Sequence, residues 1–124
     1  MSLQSIGQIA VNAKDVARAT VFYKNVLGMN FLFSAPPGLA FFDCGGVRLM
    51  ISKAEKPEFD HPASIIYYKV PDIEKSHAEL LERGVAFEEK PHLVAPMSAY
   101  DLWMASFRDS EGNLLALMSE KAKA

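Results

Sequence analysis

Cysteine is nearly absent from this sequence: Cys44 is the single one among 124 residues. One cysteine cannot form a disulfide within the chain, which excludes a disulfide framework and favours a reducing compartment. Residues 1–5 lack the basic and apolar segments of a signal peptide. No apolar run approaches the roughly 20 residues that span a bilayer. The sequence therefore predicts a cytoplasmic protein without a membrane partner.

The chain also has no excess of positive charge. It carries 13 basic and 15 acidic side chains, a net charge of -2, so we do not expect a nucleic acid partner. Hydrophobic residues make up 50% and charged residues 23%, which is typical of a globular domain. A chain of this length can bury roughly two thirds of its unfolded surface, so we expect one domain over residues 1–124.

The sequence contains an internal repeat. Residues 9–16 are echoed by residues 66–73, with Asp15 and Asp72 in register. In each copy an apolar strand runs into an aspartate that is predicted to cap an amphipathic helix, and a glycine follows the helix. The two halves of the chain are therefore expected to begin with the same strand and helix.

Three strand-like runs follow each helix, separated by glycine, proline and acidic turn residues. They span residues 29–33, 39–42 and 47–52 in the first half, and residues 86–88, 102–108 and 114–118 in the second. Each half is thus a βαβββ module, and the predicted fold class is α+β. Module one covers about residues 5–53, a linker about 54–62, and module two about 63–120.

The alternation of side chains divides each strand into two columns. One column is uniformly apolar, as a sheet face under helices requires. It contains Ile9, Val11, Val47, Leu49, Ile51, Ile66, Tyr68, Val70, Leu115 and Leu117. The other column mixes apolar and polar side chains. It contains Gln8, Ala10, Asn12, Arg48, Met50, Ser52, Ile65, Tyr67, Lys69, Leu114, Ala116 and Met118. The mixed column indicates a ligand cavity, or else an amphipathic surface.

A loop, a turn and the single cysteine could each have a functional or a purely structural role. Residues 90–100 form the longest unassigned stretch and are predicted to be a lid, in which His92 could exchange a proton near neutral pH. Residues 109–113 are predicted to form a tight turn in which Gly112 supplies a positive φ. Cys44 is expected to be a buried free thiol and not a nucleophile, since no histidine is near it in sequence.

Two motifs resemble the glyoxalase/bleomycin-resistance/dioxygenase (vicinal oxygen chelate) superfamily. The first is the sequence FYKNVLGM at residues 22–29, and the second is FRDSEGNLLAL at residues 107–117. Together with residues 65–85, the resemblance covers nearly the whole chain. It implies that the paired modules form an open mixed sheet that encloses a cavity. It also implies a homodimer.

The same resemblance implies a divalent metal held by four side chains, one on the first and one on the last strand of each module. The matching positions here are Gln8, Met50, Ile65 and Ala116. Ile65 and Ala116 have no donor atom, and a thioether with a neutral amide is a poor ligand set for zinc, nickel, manganese or iron(II). We therefore expect no metal and no other cofactor.

The remaining polar groups of the mixed column are candidates for ligand recognition or chemistry. Arg48 and Lys69 could neutralise an anionic group, and Tyr67 could hydrogen-bond to a ligand or stack on it. His92, Tyr67 and Lys69 are the catalytic candidates. The predicted ligand-binding residues are Gln8, Arg48, Met50, Tyr67, Lys69, His92, Trp103 and Ala116.

Three functions remain open from the sequence. The first is a metal-independent small-molecule binding protein of the bleomycin-resistance type, with its ligand in the sheet cavity. The second is a metal-free isomerase or lyase that uses His92, Tyr67 or Lys69. The third is a metal-dependent enzyme similar to lactoylglutathione lyase or a dioxygenase, which requires that the four metal positions are misplaced in register.

Overall fold

A computed structural model describes residues 3–54, 56–62 and 64–123. Glu55 of the expected linker, Ala63 at the expected start of module two, and the terminal residues Met1, Ser2 and Ala124 lie outside the described residues. The chain divides between residues 63 and 64 into two compact units, called here the first and second modules. No helix among the described residues is long and apolar enough to cross a membrane.

The first module contains four strands and one helix. Strands β1 to β4 span Gln8–Asn12, Asn30–Ala35, Leu39–Cys44 and Val47–Ser52. Helix α1 spans Val16–Val21 and continues as a π-helical turn over Phe22–Val26. A short 3₁₀ turn spans Pro57–Phe59. The order in the sheet is β1-β4-β3-β2, with β1 parallel to β4. This is the predicted βαβββ arrangement.

The second module repeats the arrangement. Strands β5 to β8 span Ile66–Lys69, His92–Pro96, Tyr100–Arg108 and Leu114–Ala122, and helix α2 spans Ile73–Glu82. The order in the sheet is β5-β8-β7-β6, with β5 parallel to β8. The α+β fold class with two βαβββ modules is therefore confirmed.

The predicted helix caps account for the similar start of the two modules. Asp15 Oδ1 accepts a hydrogen bond from the Arg18 backbone N–H at 3.0 Å, and Asp72 Oδ1 accepts one from the Lys75 N–H at 3.2 Å. Each bond satisfies a donor that the first turn of a helix leaves unpaired. The glycines that follow α1 and α2 both have a positive φ, as expected for a helix C-terminus.

The lid predicted at residues 90–100 is wrong, and the strand predicted at residues 86–88 is present only as a short antiparallel bridge. His92–Pro96 is the edge strand β6, paired antiparallel with β7, while residues 86–88 form only an isolated bridge between Phe87 and Phe107. The prolines at both ends of this segment resemble loop residues in the sequence. On an edge strand a proline is tolerated, because the hydrogen bond that it cannot donate is not needed there.

The core of the first module lies where α1 and its π turn cover the sheet. Phe42 of β3 is fully buried, and its ring centroid lies 6.0 Å from that of Tyr23 and 5.4 Å from that of Phe31. Leu49 and Ile51 of β4 are buried on the same side. The uniformly apolar column of the sequence is thus the face that packs against the helix.

The core of the second module has the same organisation. Ile73 and Leu80 of α2 are buried, as are Phe107, Leu115 and Leu117 of the sheet. Beside them, the ring of the α2 histidine at position 77 meets that of Phe87 edge-on, with 4.4 Å between centroids. The histidine is therefore part of the packing at the margin of helix and sheet.

An ion pair joins α2 to the end of β8. Lys121 donates to Glu74, and its Nζ lies 3.9 Å from the centroid of the Trp103 ring. The hydrogen bond from Lys121 lowers the pKa of Glu74 from its ordinary value of 4.5. A lowered pKa stabilises the fold above the unfolded-state value, and this contribution is lost as the pH falls through the folded-state pKa.

Glu74→Gln is therefore expected to lower the free energy of unfolding slightly at neutral pH and to leave it unchanged at acidic pH. We expect a loss below about 1 kcal/mol near pH 7, because the Glu74 side chain is exposed and the Lys121 side chain is only partly buried. The difference from the unmodified protein should disappear as the pH falls below 4.5. Thermal unfolding across this range measures the effect, with Glu79→Gln on the same helix as the control. A loss that persists at acidic pH would contradict this interpretation of the pair.

Candidate functional site

The candidate site lies on the sheet faces turned away from the helices. In the first module, β1 and β4 pair Gln8 with Arg48 and Ala10 with Met50, and β3 pairs Phe41 with Met50. Paired residues share a face, and this face is opposite to the one that contains Phe42. We call it the first distal face. It includes Gln8, Ala10, Asn12, Phe33, Phe41, Asp43, Arg48, Met50 and Ser52.

The structure brings together two of the four predicted metal positions. Gln8 Nε2 lies 3.7 Å from Met50 Sδ, within reach of a weak N–H to sulfur hydrogen bond. The amide and the thioether thus contact each other directly. Neither group carries a charge, so this pair supplies no strong ligand for a divalent cation.

An aromatic surface with a cation lies beside this pair. The Phe33 and Phe41 rings are tilted by 31° with 4.8 Å between centroids, and the Arg48 guanidinium carbon lies 5.8 Å from the Phe41 centroid. Phe33 is 49% exposed and Arg48 is exposed. A flat apolar surface next to an exposed guanidinium can take up an aromatic ring and an anionic substituent together.

The second module has a corresponding distal face. Tyr67 and Ser106 both pair with Ala116, and Lys69 and Met104 both pair with Met118. The second distal face is therefore defined by Tyr67, Lys69, His92, Met104, Ser106, Ala116, Met118 and Glu120. Ser106 and Met104 were not predicted, because the alternation of side chains alone does not align residues 102–108 with the neighbouring strands.

Two of the predicted residues on this face lie on its β5 edge. Tyr67 is 49% exposed, and the Lys69 ammonium lies 2.9 Å from Glu120 Oε1. Lys69 is therefore already paired with a carboxylate. Ile65, the third metal position, directly precedes β5 and is exposed, whereas Ala116, the fourth, is fully buried. Neither side chain has a donor atom.

His92 lies on β6, at the opposite edge of the same sheet. Its Nδ1 lies 2.8 Å from the Lys90 carbonyl oxygen, and its Nε2 lies 3.8 Å from Glu89 Oε2. Glu89 also accepts a hydrogen bond of 3.1 Å from the Ser106 hydroxyl. Glu89 is thus a polar neighbour of His92 that the sequence did not reveal, because it precedes the strand.

The three catalytic candidates do not come together in the second module. The strand order places β8 and β7 between β5 and β6. Three strand spacings separate His92 from Tyr67 and Lys69, or about 14 Å across the sheet. A proton transfer that uses His92 together with either of the other two would require a substrate that spans this distance.

Trp103 lies on the other face of the sheet. It pairs with Ser119, and its neighbour Ala105 pairs with Leu117 of the buried core. Its ring lies against Lys121, on the side of α2. The structure therefore does not bring Trp103 together with Tyr67 and the other residues of the second distal face, although the sequence grouped them.

The donor groups of the described residues do not fit the metal that the family resemblance implies. No three histidine, cysteine, aspartate or glutamate side chains lie together in the described part of the chain. Burial raises the pKa of the Cys44 thiol from 9.0, and the adjacent Asp43 carboxylate raises it further. The thiol therefore stays protonated near neutral pH and is a poor ligand and nucleophile.

Known proteins resemble this chain over most of its length. It is 29% identical over 123 residues to YraH of Bacillus subtilis strain 168, with 89% of this chain and 94% of YraH covered. Solved structures also match its fold, and two serve as examples. One is a lactoylglutathione lyase from Agrobacterium tumefaciens, with 19% identity, a TM-score of 0.76 and 96% of each chain covered.

The other is TnmS3, an antibiotic binding protein from Streptomyces sp. CB03234. It has 23% identity and a TM-score of 0.76, and the match covers 98% of this chain and 99% of TnmS3. At such identities these two likenesses show the fold alone. The family model of the Glyoxalase/Bleomycin resistance protein/Dioxygenase superfamily matches residues 5–117, and the chain therefore belongs to this superfamily.

Proposed function

We propose that this protein binds a small organic molecule without a metal and holds it against the distal face of the first module's sheet. One observation carries the proposal: the positions that the resemblance matches to the family's metal ligands hold an amide, a thioether and two hydrocarbon side chains, while aromatic and charged groups lie around Gln8 and Met50. Metal chemistry needs several imidazole or carboxylate donors together. Ligand binding needs an apolar surface with a few polar groups, which the distal face of the first module provides.

The first distal face favours a planar aromatic ligand with an anionic group. An aromatic ring that stacks on the exposed face of Phe33 gains about 0.5–1.5 kcal/mol beyond its apolar burial. The Arg48 guanidinium beside it would hydrogen-bond to a carboxylate or sulfonate of the same molecule. Gln8 adds an amide donor next to the ring, and the flexible Met50 side chain can adapt to its outline.

The second distal face supplies weaker recognition. The Lys69 charge is compensated by Glu120, so this end of the face is close to neutral. Tyr67 offers an exposed hydroxyl and an aromatic ring, and two methionines, Met104 and Met118, lie side by side in the sheet. Taken by itself, this face therefore favours apolar contacts over a charge interaction.

A fluorescence or calorimetric titration with 2-naphthoate tests this proposal. We expect Arg48→Ala to weaken 2-naphthoate binding about tenfold, because a charge-assisted hydrogen bond is lost. Arg18→Ala, which removes an exposed arginine from α1, should leave the affinity unchanged. Chelator should not alter the affinity either. If the unmodified protein does not bind 2-naphthoate, or if both variants lose affinity equally, the proposed site is wrong.

A metal-free isomerase or lyase is the second candidate, and the contacts of His92 favour it. The ring has the Lys90 carbonyl on one nitrogen and Glu89 near the other, an arrangement that suits a group that exchanges protons. If the protein turns over a substrate, His92→Gln should lower kcat by about a hundredfold or more, because a positioned proton-transfer group is lost. Unchanged turnover in His92→Gln, Tyr67→Phe and Lys69→Met would rule out this candidate.

We also propose that the protein is a cytoplasmic homodimer, as the sequence led us to expect. The free Cys44 suits a reducing compartment. Each chain has a mass of 13.7 kDa, so a homodimer would have twice this mass. Light scattering coupled to size-exclusion chromatography distinguishes a monomer from a dimer by its mass. A monomer at micromolar concentration would contradict the proposal.

A further inference from the structure

A groove of about 500 Å³ opens on the first module, just past the ends of β1 and β4. The two parallel strands stay joined there, because the Ala13 N–H donates to the Ser52 carbonyl at 2.9 Å. The chain after β4 folds back across this end, where the Asn12 side chain donates to the His61 carbonyl at 3.3 Å. The groove is lined by Ala13, Lys14, Lys53, Ala54, Lys56, Pro57 and Asp60.

Lysines outnumber carboxylates among the described residues that line this groove. These residues include Lys14, Lys53 and Lys56 and one carboxylate, that of Asp60. Lys14 and Lys53 are exposed, and neither forms an ion pair or a side-chain hydrogen bond with the described residues. Two uncompensated ammonium groups on one groove form a local field that attracts anions.

The internal repeat provides a comparison within the same molecule. The second module has a groove of about 370 Å³ at the corresponding end of its parallel strands, lined by Lys69, Val70, Pro71 and Glu120. There the lysine is paired with the glutamate at 2.9 Å, and a proline occupies the position that Lys14 has in the repeat. The βαβββ fold therefore forms this groove without an excess of lysine.

We propose that the groove of the first module binds the phosphate group of a small molecule between Lys14 and Lys53. A volume of this size suits a small organic ligand. Lysine ammonium groups bind phosphate as flexible point charges, and they need no rigid geometry to do so. The Asp60 carboxylate on the same lining can accept a hydrogen bond from a hydroxyl or amine of that molecule. The inference does not depend on the ligand proposed for the first distal face.

Inorganic pyrophosphate is the probe for this site, titrated calorimetrically into the full chain in 150 mM chloride so that weak surface attraction is screened. We expect saturable binding with one site per chain. The double variant Lys14→Gln/Lys53→Gln should bind pyrophosphate at least about tenfold more weakly, because two favourable charge interactions are removed. Circular dichroism of this variant should be unchanged, since both side chains are exposed.

The matched control is the double variant Lys75→Gln/Lys90→Gln, which removes the same net charge from exposed positions of the second module. Its affinity for pyrophosphate should stay within twofold of the unmodified protein, and so should that of Arg48→Ala. No saturable binding to the unmodified protein, or equal weakening in both double variants, would overturn the proposal. A loss of binding in Arg48→Ala alone would also overturn it, because the anion would then lie on the first distal face.

Discussion

Asp109→Ala is expected to lower the free energy of unfolding by about 3 kcal/mol. The carboxylate is buried, and its Oδ1 accepts hydrogen bonds of 2.8 Å from the backbone N–H groups of Glu111 and Asn113. Its Oδ2 accepts a third, of 2.9 Å, from the Asn113 side chain. Alanine would leave these donors without their acceptor in the tight turn that joins β7 to β8.

Urea denaturation with a constant m-value measures this loss. The free energy of unfolding of Asp109→Asn should lie between those of the unmodified protein and Asp109→Ala. The amide oxygen of asparagine can still accept the backbone hydrogen bonds, while its amide nitrogen faces another donor. Ser110→Ala serves as the control within the same turn, since the Ser110 hydroxyl donates to the neighbouring Glu111 carboxylate and not to the backbone of the turn among the described residues. A loss below 1 kcal/mol in Asp109→Ala, or an equal loss in Ser110→Ala, would show that the carboxylate does not hold this turn.

The second large effect is expected from Phe42→Ala, which should lower the free energy of unfolding by about 3–5 kcal/mol. The Phe42 ring is fully buried and contacts the rings of Tyr23 and Phe31. Alanine leaves a cavity where α1 and its π turn pack on β3, and a close-packed core cannot fill it fully. The midpoint of urea unfolding should fall accordingly.

Phe33→Ala removes the same side chain from the other face of this sheet. Because Phe33 is half exposed, its loss should cost less than about 1.5 kcal/mol of stability. The same change should weaken 2-naphthoate binding, because the proposed stacking surface is lost. If Phe33→Ala destabilised the protein as much as Phe42→Ala does, the distal face would be a second core and not a binding surface.

The sequence allowed the fold class to be predicted because its signals are local. The aspartate caps at positions 15 and 72 repeat at the start of both modules, and each helix is followed by a glycine with positive φ. The tight turn at residues 109–113 was likewise predicted and confirmed, with Gly112 at a φ of 84°. Such features depend on neighbours a few residues away, which a single sequence contains.

Features that depend on strand pairing were less predictable. Strand β6 was mistaken for a lid, because its prolines resemble a loop and only its pairing with β7 makes it a strand. Trp103 was grouped with the wrong face, since the alternation along β7 has two possible phases until its register with β8 is known. His92 and Tyr67 were both predicted to bind the ligand of one cavity, whereas the strand order places them at opposite edges of the second sheet.

The part of the candidate site that was predicted lies on the central parallel strands. The repeat fixes the relative register of β1 and β5, and the closing motif fixes that of β8. Gln8 and Met50 were placed at related positions on this basis, and the structure brings their side chains into contact. The contact between Phe33 and Phe41 could not be predicted, because it depends on the register of β2 and β3. That register includes a bulge, which no sequence motif indicates.

The divalent metal content of the purified protein tests the central claim most directly. The protein should be prepared without chelator from cells supplied with zinc, nickel, manganese and iron, and then analysed by inductively coupled plasma mass spectrometry. We predict far less than one ion of any of these metals per chain, together with unchanged binding of 2-naphthoate in the presence of chelator. The claim would be contradicted if the protein contained a stoichiometric divalent metal, and if removing that metal with chelator abolished the binding of 2-naphthoate.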